Sequence, residues 1–488
     1  MARASDHPPA SPALHSPESP LRLAFWLGDV DPRPLALFRV GFGLALLHDL
    51  FDLSVDLRAF LTDEGLLPRG AQAEPRAWTL FDLVGSQAAV AALFALGVLV
   101  VVAFTLGFHT RLATALSLLF LTSVHNRNLY VVDGGDDLVR ILLFLCLFTD
   151  LGRAWSLDVR LGRKVRGPAP ALGLRALQLH LALLYFVAAR LKFRQRWLTT
   201  NPIYQVLQLD GFTRPPGKLL MRSPLLCRLS GVAVVAMEWL FGFFAFSPWK
   251  IPIARALAIL CGVGVQLGIL LTMRVGVFTE VLLVSNALLL QPAWLDRLEA
   301  RWSKQPTPPA TSVQSGSPAS LTTPLRIAGA AVLAFYFASS AWGPFIGSRV
   351  KEPWVLTAPR RWLWLEQPFG LFDVVYDVPL WSAPGVQADG TLVDVLEVAE
   401  PHLIGKVGVG FSRWYKFTFK ERERPFRLPE LGRYLCRAYE EKTGARLRSF
   451  TLVETLTPPS LPGQPAGPAR HRDLLRQECA DVPVRPSR

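Results

Sequence analysis

The sequence has few charged residues for its length and few patterns that bind metals. Of its 488 residues, 18% are charged and 51% are hydrophobic, and the mean hydropathy is +0.30. This balance is unusual for a soluble protein of this size, so it predicts that the lipid bilayer is the solvent for much of the chain. The five cysteines form no CxxC pair and the eight histidines form no HExxH motif. We therefore predict no structural zinc and no metal cofactor.

The net charge of +14 raises nucleic acid as a partner, but the basic residues lie between long apolar runs. Anionic lipid head groups explain that distribution better, and we predict no nucleic-acid binding. Ala, Leu, Pro and Arg dominate the sequence, as in proteins from GC-rich bacterial genomes, so the expected location is a bacterial inner membrane. Residues 1–20 lack the basic and apolar regions of a signal peptide and are expected to form a disordered tail.

Apolar stretches near the length of about 20 residues that a spanning helix needs recur along the chain. They cover 34–53, 86–107, 112–127, 138–151, 172–191, 229–248, 252–273, 275–292 and 325–346. The predicted fold class is a membrane all-α protein: a polytopic bundle of about nine transmembrane helices with a small C-terminal α+β, β-rich soluble domain. The predicted organisation is an N-terminal segment, a bundle of about eight helices, a Pro/Ser/Thr linker, a last transmembrane helix and an extracytoplasmic domain. These parts cover 1–33, 34–302, 303–324, 325–347 and 348–488 respectively.

Within the C-terminal domain, two local patterns predict secondary structure. Phe411, Tyr415, Phe417 and Phe419 alternate with polar residues, which predicts a strand. The segment from Leu428 to Thr443 predicts an amphipathic helix that ends before Gly444. Cys436 and Cys479 fall in this domain, and if it lies in an oxidising compartment they can form a disulfide.

Loop charges predict the orientation, because short cytoplasmic loops carry excess Lys and Arg. The loop over 153–166 is basic and should be cytoplasmic, whereas the acidic loops around Asp63 and Asp133 should be outside. With nine helices the N-terminus is cytoplasmic and the C-terminal domain extracytoplasmic. The loop over 192–228 disagrees, since it has seven basic residues against Asp210 yet falls outside. Either the helix count is wrong by one, or this loop is a functional basic surface.

Four ionisable residues lie inside the apolar stretches, where charge is costly and often functional. They are Arg39, Arg140, Lys192 and Glu238. One interpretation is structural: Arg39 pairs with Glu238, while Arg140 and Lys192 extend from helix ends towards water. The other is chemical. Gln178, Tyr185 and Lys192 recur every seven residues, so they form one polar stripe that should face protein or a cavity, and a partly desolvated Lys192 can act as a base.

Several segments together resemble the HTTM proteins (horizontally transferred transmembrane domain), a family that includes the vitamin K-dependent γ-glutamyl carboxylases. The resemblance runs from about residue 34 to the C-terminus. It rests on LFRVGFGLALLHDL, LTDEGLLP, GFHTRLATALSLLF, HNRN, GGDDLVRILLFLCLF, WSLD, LLYFVAARLKFRQRW, MEWLFGFF and GFSRWYKFTF, in this order.

The resemblance implies a chemistry and a set of site residues. In the carboxylases a lysine deprotonates vitamin K hydroquinone, oxygen converts the quinol to an epoxide, and the resulting base allows a glutamate to capture carbon dioxide. Tyr185, Lys192 and Trp197 match the lysine segment, so Lys192 is the candidate base. Glu238 falls where the family has an acid, and Gln266 falls where a histidine is expected. The implied partners are reduced menaquinone or vitamin K, oxygen, carbon dioxide and membrane lipids, with an unknown protein substrate.

The residues leave three functions open. The first is a carboxylase-like enzyme that acts on a reduced quinone, with Lys192, Glu238 and Gln266 as catalytic candidates. Its pocket candidates are Gln178, Tyr185, Trp197 and Arg39. The second is a non-catalytic lipid- or quinone-binding protein, associated with transport, that has kept the scaffold. The third is a quinone-linked oxidation without carbon dioxide. A Lys192 with polar neighbours inside the bundle favours the first function, and a Lys192 in lipid or solvent favours the second.

Overall fold

The computed structural model describes residues 19–71, 78–194, 197, 200–302, 323–345, 350, 353–363, 365–366, 377–404, 413–423 and 428–480. Nearly all of the predicted disordered tail and of the predicted linker lies outside these residues. The described helices of the bundle are α1 (Leu23–Leu27), α2 (Arg33–Val55), α3 (Leu57–Leu61), α4 (Gln87–Leu106), α5 (Thr110–Arg127), α6 (Gly134–Cys146), α7 (Leu157–Arg160), α8 (Ala171–Arg194), α9 (Pro202–Val206), α10 (Pro215–Met221), α11 (Pro224–Ala245), α12 (Ile251–Thr272), α13 (Val277–Ser285), α14 (Pro292–Trp302) and α15 (Thr323–Phe345). Two short strands, β1 (Asp29–Val30) and β2 (Ala169–Pro170), pair antiparallel beside α8.

Five described helices are long and apolar enough to cross a bilayer: α2, α4, α8, α11 and α12. A sixth candidate is the bent pair Val277–Leu289 and Pro292–Arg301, which turns by 94°. The other three predicted segments are also helical, as α5, α6 and α15, but they are shorter or less apolar. The prediction of helices is therefore confirmed for the described residues, whereas the count of about nine spans is not.

Local sequence explains where the helices of the bundle begin and end. Helix α4 ends at Gly107, whose φ of 69° is a left-handed conformation that glycine adopts without strain. Helix α6 begins with a capping box: Asp133 accepts from the backbone N–H of Asp136, and the Asp136 carboxylate accepts from the N–H of Asp133. The start of α5 is held by Asp158, whose carboxylate accepts from Thr110. These caps fix the turns that join neighbouring helices.

The bundle has two distinct ends. At one, which we call the domain end, the C-terminal domain contacts helix α3 and the turn after α9. Arg58 of α3 pairs with Glu441 at 2.9 Å, and the rings of Phe212 and Tyr415 lie 4.9 Å apart between centroids. At the opposite end, Arg33 at the start of α2 pairs with Asp296 of α14 at 2.7 Å. The basic loop over 153–166 lies towards this opposite end, because Arg39, in the first two turns of α2, donates to Trp155 O in that loop at 2.6 Å. The acidic and basic loops that predicted orientation therefore lie at opposite ends.

The C-terminal domain packs helices against an antiparallel sheet. Its elements are α16 (Trp354–Trp362), β3 (Val378–Ser382), β4 (Pro384–Gln387), β5 (Leu392–Asp394), α17 (Val395–Ala399), α18 (Arg413–Glu423), α19 (Leu428–Thr443), β6 (Leu447–Thr457) and β7 (Arg470–Glu478). The long strand β6 pairs with β3, β4 and β7, and β4 also pairs with β5. A C-terminal α+β, β-rich region is therefore confirmed.

Two local predictions in this domain are confirmed and one is wrong. The helix from Leu428 to Thr443 has the predicted bounds, and Cys436 forms the predicted disulfide with Cys479, with a Cα–Cα distance of 5.6 Å. The predicted strand around Tyr415 is instead helix α18; Phe411 lies outside the described residues. The alternating pattern that predicted the strand did not include Trp414. In the structure Trp414, Phe417 and Thr418 share one face of α18, and all three are buried.

Candidate functional site

The polar stripe of α8 faces the interior of the bundle and meets an acid on α11. The Nζ atom of Lys192 donates to Oε1 of Glu238 at 2.7 Å, and both side chains are buried. The small residues Ala188 and Ala189 precede Lys192 on α8 and are also buried, which allows α8 and α11 to approach each other here. Lys192 therefore lies in the protein interior and does not extend into lipid or water.

A second polar pair lies beside the first along α8. Gln266 of α12 donates through Nε2 to the hydroxyl of Tyr185 at 2.9 Å. The ring of Tyr185 packs on Phe241 of α11, with 4.1 Å between the centroids. Because Tyr185 and Lys192 are seven residues apart, they share one face of α8. The site is thus built from α8, α11 and α12.

Three buried acceptor oxygens near these helices have no hydrogen-bond partner among the described residues. They are Oε2 of Glu238, Oε1 of Gln266 and Oδ1 of Asn286. Asn286 follows α13 and approaches α12 at Gly262, where a Cβ atom would lie 2.4 Å from its Oδ1. Sequence reasoning missed Asn286. The only signal in the sequence is that Gly262 and Asn286 each lie in an apolar segment. That the two residues are in contact is visible only once the helices are packed.

The ring of Trp197 packs beside the ammonium group of Lys192. Its ring centroid lies 5.4 Å from Nζ of Lys192, and its backbone N–H donates to the carbonyl of Lys192. Gln178 is on the same face of α8 but is engaged elsewhere: its Nε2 donates to Leu288 O at 2.6 Å, and its Oε1 accepts from Arg175 at 2.9 Å. The structure therefore brings Trp197 to the pair, and it gives Gln178 partners outside it.

Arg39 has a separate environment, so the predicted pair between Arg39 and Glu238 is not formed. Its guanidinium donates to backbone carbonyls, including Leu151 O at 2.7 Å and Trp155 O at 2.6 Å. It thereby satisfies the carbonyls of the loop after α6. Arg140 is likewise buried and does not extend into water, since it contacts Asp137 and His125.

A buried charge cluster joins the C-terminal domain to the bundle, and sequence reasoning did not find it. Arg413 of α18 binds both oxygens of Asp136, at 2.9 and 3.0 Å, and Oδ1 of Asp49 at 2.7 Å. Nε2 of His125 lies 3.3 Å from Asp136. Arg140 is only a donor and lies 3.0 Å from Nδ1 of His125, so an imidazole with its hydrogen on Nε2 satisfies both contacts. Each charged group in the cluster is thus paired.

The cluster also has the ligand types of a cation site. The donor atoms of Asp49, His125 and Asp136 lie within 4.8 Å of one another. The Arg413 guanidinium already supplies positive charge to both carboxylates. Burial opposes that charge, but Asp136 and Asp49 outweigh it and hold the pKa of Arg413 above its ordinary value.

A signal for this cluster was present in the sequence. Asp49, His125, Asp136, Arg140 and Arg413 fall in four of the segments that carry the family resemblance, LFRVGFGLALLHDL, HNRN, GGDDLVRILLFLCLF and GFSRWYKFTF. Charged residues that recur in separate motifs can share one site, but their spacing along the chain does not say which ones meet.

The described part of the chain is mainly helical, and five of its helices are long and apolar enough to cross a membrane around buried polar side chains. The model of the HTTM domain family matches residues 28–294. This match covers more than half of the chain, and the chain belongs to the HTTM family. No curated protein and no solved structure matches the chain.

Proposed function

We propose that this HTTM-family protein binds a reduced quinone between α8, α11 and α12 and takes a proton from it at the Lys192–Glu238 pair. The observation that carries the proposal is Oε2 of Glu238, a buried carboxylate oxygen with no donor among the described residues. A buried acceptor of this kind is costly unless a ligand supplies a hydrogen. A quinol has two hydroxyl donors, whereas the oxidised quinone has none.

The hydrogen-bond acceptors of the site fit the two hydroxyl donors of reduced menaquinone or vitamin K. Gln266 and Asn286 contribute two further acceptors without donors. The rings of Tyr185, Phe241 and Trp197 supply aromatic surface beside them. Lys192 would lie close to the hydroxyl that approaches Glu238, since its Nζ is 2.7 Å from Oε1 of the same carboxylate.

The pair can take up one proton as a unit. With Lys192 charged and Glu238 ionised, the pair has no net charge, and it gains one positive charge when the Glu238 carboxylate accepts a proton from the ligand. That charge would stabilise the anion left behind. A neutral Lys192 is therefore not required beforehand, because the carboxylate can be the first acceptor. This differs from a lone lysine base, since the carboxylate is the group that receives the proton.

When bound, a quinol supplies an electron-rich ring that oxygen can oxidise, and carboxylase-like chemistry couples that oxidation to carbon dioxide capture. The family resemblance supports this extension for the present chain. We propose it with a protein substrate whose identity is open, and with Lys192, Glu238 and Gln266 in the catalytic roles.

The direct contact between Lys192 and Glu238 also supports a second function, non-catalytic binding of a quinone or lipid. A buried ion pair satisfies its own charges and can serve only to hold α8 against α11. The two functions differ in one respect: only the first requires proton uptake from the ligand at Glu238.

We further propose that the protein crosses a bacterial inner membrane with nine helical segments. In this topology the N-terminus is cytoplasmic and the C-terminal domain extracytoplasmic. The directions of the helices support this topology, because successive segments start at alternating ends of the bundle. Arg33 at the start of α2 lies at the opposite end, whereas Asp49 near the end of α2 and Asp136 at the start of α6 lie at the domain end. The disulfide in the C-terminal domain also fits an oxidising compartment.

The experiment compares binding of reduced and oxidised menaquinone to the full-length protein in nanodiscs, followed by quinol oxidation under oxygen. The wild type should bind the reduced form about tenfold or more tightly, as expected for a hydrogen bond to a carboxylate. Glu238→Gln should lose that preference and quinol oxidation, because an amide cannot accept the proton. Lys192→Arg should lose quinol oxidation, because a guanidinium cannot pass on the proton that Glu238 accepts. Equal binding of both forms by the wild type would refute the site, and full quinol oxidation by Lys192→Arg would show that Lys192 has no catalytic role.

A further inference from the structure

Arg255, near the start of α12, is a buried cation without a counter-charge. Its side chain is 3% exposed. Its Nη1 atom has no hydrogen-bond partner, and no hydrogen bond or ion pair joins its guanidinium to another described residue. A guanidinium carries five N–H donors and a permanent positive charge, so burying it without acceptors is costly. A bound anion would offset that cost.

Helix α12 begins at the opposite end of the bundle. At its other end, the N–H of Arg214 donates to Thr272 O at 2.9 Å, and Phe212 beside it contacts the C-terminal domain. The last turn of α12 therefore lies at the domain end, and Arg255 lies near the far end of the helix. About three turns of α12 separate Arg255 from Gln266, so Arg255 is outside the proposed quinol site.

Aromatic rings cover the guanidinium. The ring centroid of Phe246, which follows α11, lies 5.6 Å from Cζ of Arg255. Trp26 of α1 stacks on Phe246, with 5.8 Å between the centroids and 7° between the ring planes. Attraction to one ring offsets only part of the cost of burying a charge. Both rings are half-buried, so the guanidinium lies beneath a layer of side chains that is itself partly open.

The turn between α11 and α12 has the residues of a membrane surface. Both helices are long and apolar enough to cross a membrane, so the turn that joins them would emerge at one face. Trp249 in this turn is 70% exposed, and the neighbouring Lys250 is also exposed. Trp and Lys at such a position mark the depth of the lipid head groups. Phosphate groups are therefore the oxyanions that lie near Arg255.

The shape of the guanidinium and its direction narrow the ligand further. Its N–H groups form a planar fork that matches two oxygens of an oxyanion, whereas a halide offers one acceptor. Ile253 and Leu257 are 58% and 36% exposed and form the lipid-facing side of α12. Arg255 is two residues from each, so it points to the other side of the helix. The ligand would thus enter from the end of the bundle and not through its lipid-facing side.

We propose that Arg255 binds a phosphate group at the opposite end of the bundle, beneath Phe246 and Trp26. Two phosphate oxygens accept from the guanidinium, and the negative charge of the phosphate offsets the buried cation. The phosphate can belong to a lipid head group or to a soluble phosphate. The site uses neither Lys192 nor Glu238, so it does not depend on quinol binding.

The test measures thermal unfolding of the full-length protein in a phosphate-free maltoside detergent, with inorganic phosphate or phosphatidylglycerol as the added probe. The wild-type midpoint should rise with at least one probe, and the stronger probe identifies a soluble or a lipid phosphate as the ligand. Arg255→Met should bind that probe about tenfold or more weakly, the loss expected for a hydrogen bond to a charged group. Without a probe, Arg255→Met should unfold at the wild-type temperature or above it, because the variant removes an unpaired buried charge.

Two further variants serve as controls. Arg297→Met removes an exposed arginine of α14 at the same end of the bundle and should keep the wild-type response to the probe. Arg255→Lys keeps the charge but loses the fork, so its affinity for the probe should fall between those of the wild type and Arg255→Met. This variant also provides the comparison if Arg255→Met does not fold.

Three results would overturn the proposal: no rise of the wild-type midpoint with either probe, an equal rise in Arg255→Met, or a lower midpoint of Arg255→Met than of the wild type without a probe. The last result would show that Arg255 holds the fold together through the protein alone. Quinol binding by Arg255→Met should stay at the wild-type level, so this proposal and the proposed function fail independently.

Discussion

The Nζ atom of Lys192 lies 2.7 Å from Oε1 of Glu238, and the two side chains are 6% and 7% exposed. Charges this deep in a bundle are stable only as a pair, since each offsets the cost of removing the other from water. Loss of either partner should therefore lower the stability of the protein, whether or not the pair takes part in a reaction.

Lys192→Met should lower the free energy of unfolding by about 3–5 kcal/mol, because it leaves a buried carboxylate without its partner. The double variant Lys192→Met, Glu238→Leu should recover most of that loss. Thermal or detergent-induced unfolding of the purified protein measures both. Lys218→Met is the control, since it breaks an exposed pair with Asp210 and should cost less than about 1 kcal/mol. A double variant as unstable as Lys192→Met would contradict the prediction.

Arg413→Gln should destabilise the contact between the C-terminal domain and the bundle by about 3–5 kcal/mol, because Asp49 and Asp136 would face each other without a cation. Arg413→Lys should also be impaired, since an ammonium cannot bind both oxygens of Asp136 as the guanidinium does. Melting temperatures of the variants measure the effect. Arg433→Gln removes an exposed pair with Glu430 and should change little; similar shifts for Arg413→Gln and Arg433→Gln would count against the cluster.

Thiol titration in denaturant should find three free thiols without reductant and five with it, since Cys146, Cys227 and Cys261 are free and Cys436 is bonded to Cys479. Removing the bond by Cys436→Ser should destabilise the domain by about 4 kcal/mol, given a closed loop with a sequence separation of 43. Cys227→Ser should keep the bond and lower the unreduced count by one thiol. Five thiols without reductant would disprove the pairing.

Burial raises the pKa of the Glu400 carboxyl to about 7, although a hydrogen bond from Tyr434 opposes the shift. The folded domain therefore holds a proton that the unfolded chain loses near pH 4.3. Its stability should fall as the pH rises from about 4 to 7, by about 3 kcal/mol in total, and then level off. Glu400→Gln should flatten this dependence, and Tyr434→Phe should move its upper limit to higher pH. Unfolding of both variants across this range is the measurement, and an unchanged slope in Glu400→Gln would refute the assignment.

Reporter fusions after Ser303 and after Gly347 should report the cytoplasm and the outside respectively. The expected difference follows from one crossing between these positions, made by α15. Alkaline phosphatase and a fluorescent protein active in the cytoplasm provide complementary readouts. The same compartment for both positions would rule out the nine-segment topology.

The sequence by itself determined features that depend on a single helix or on neighbouring residues. Apolar run lengths located the longer helices of the bundle but not short ones such as α9 and α10, and Leu428 and Gly444 marked the bounds of α19. Tyr185 and Lys192 were placed on one face of α8 because the period of the helix is known from local geometry alone. The disulfide had one possible pairing among the two cysteines of its domain.

Only the tertiary structure decided which polar groups meet. Lys192 is 46 residues from Glu238, and Arg413 is 277 residues from Asp136. No local periodicity relates groups so far apart. Arg39 was expected to pair with an acid and instead donates to backbone carbonyls. The segment with the local alternation is helix α18, with Trp414 buried on it. The register between packed helices depends on all their side chains and connecting turns together, so it is a property of the folded molecule.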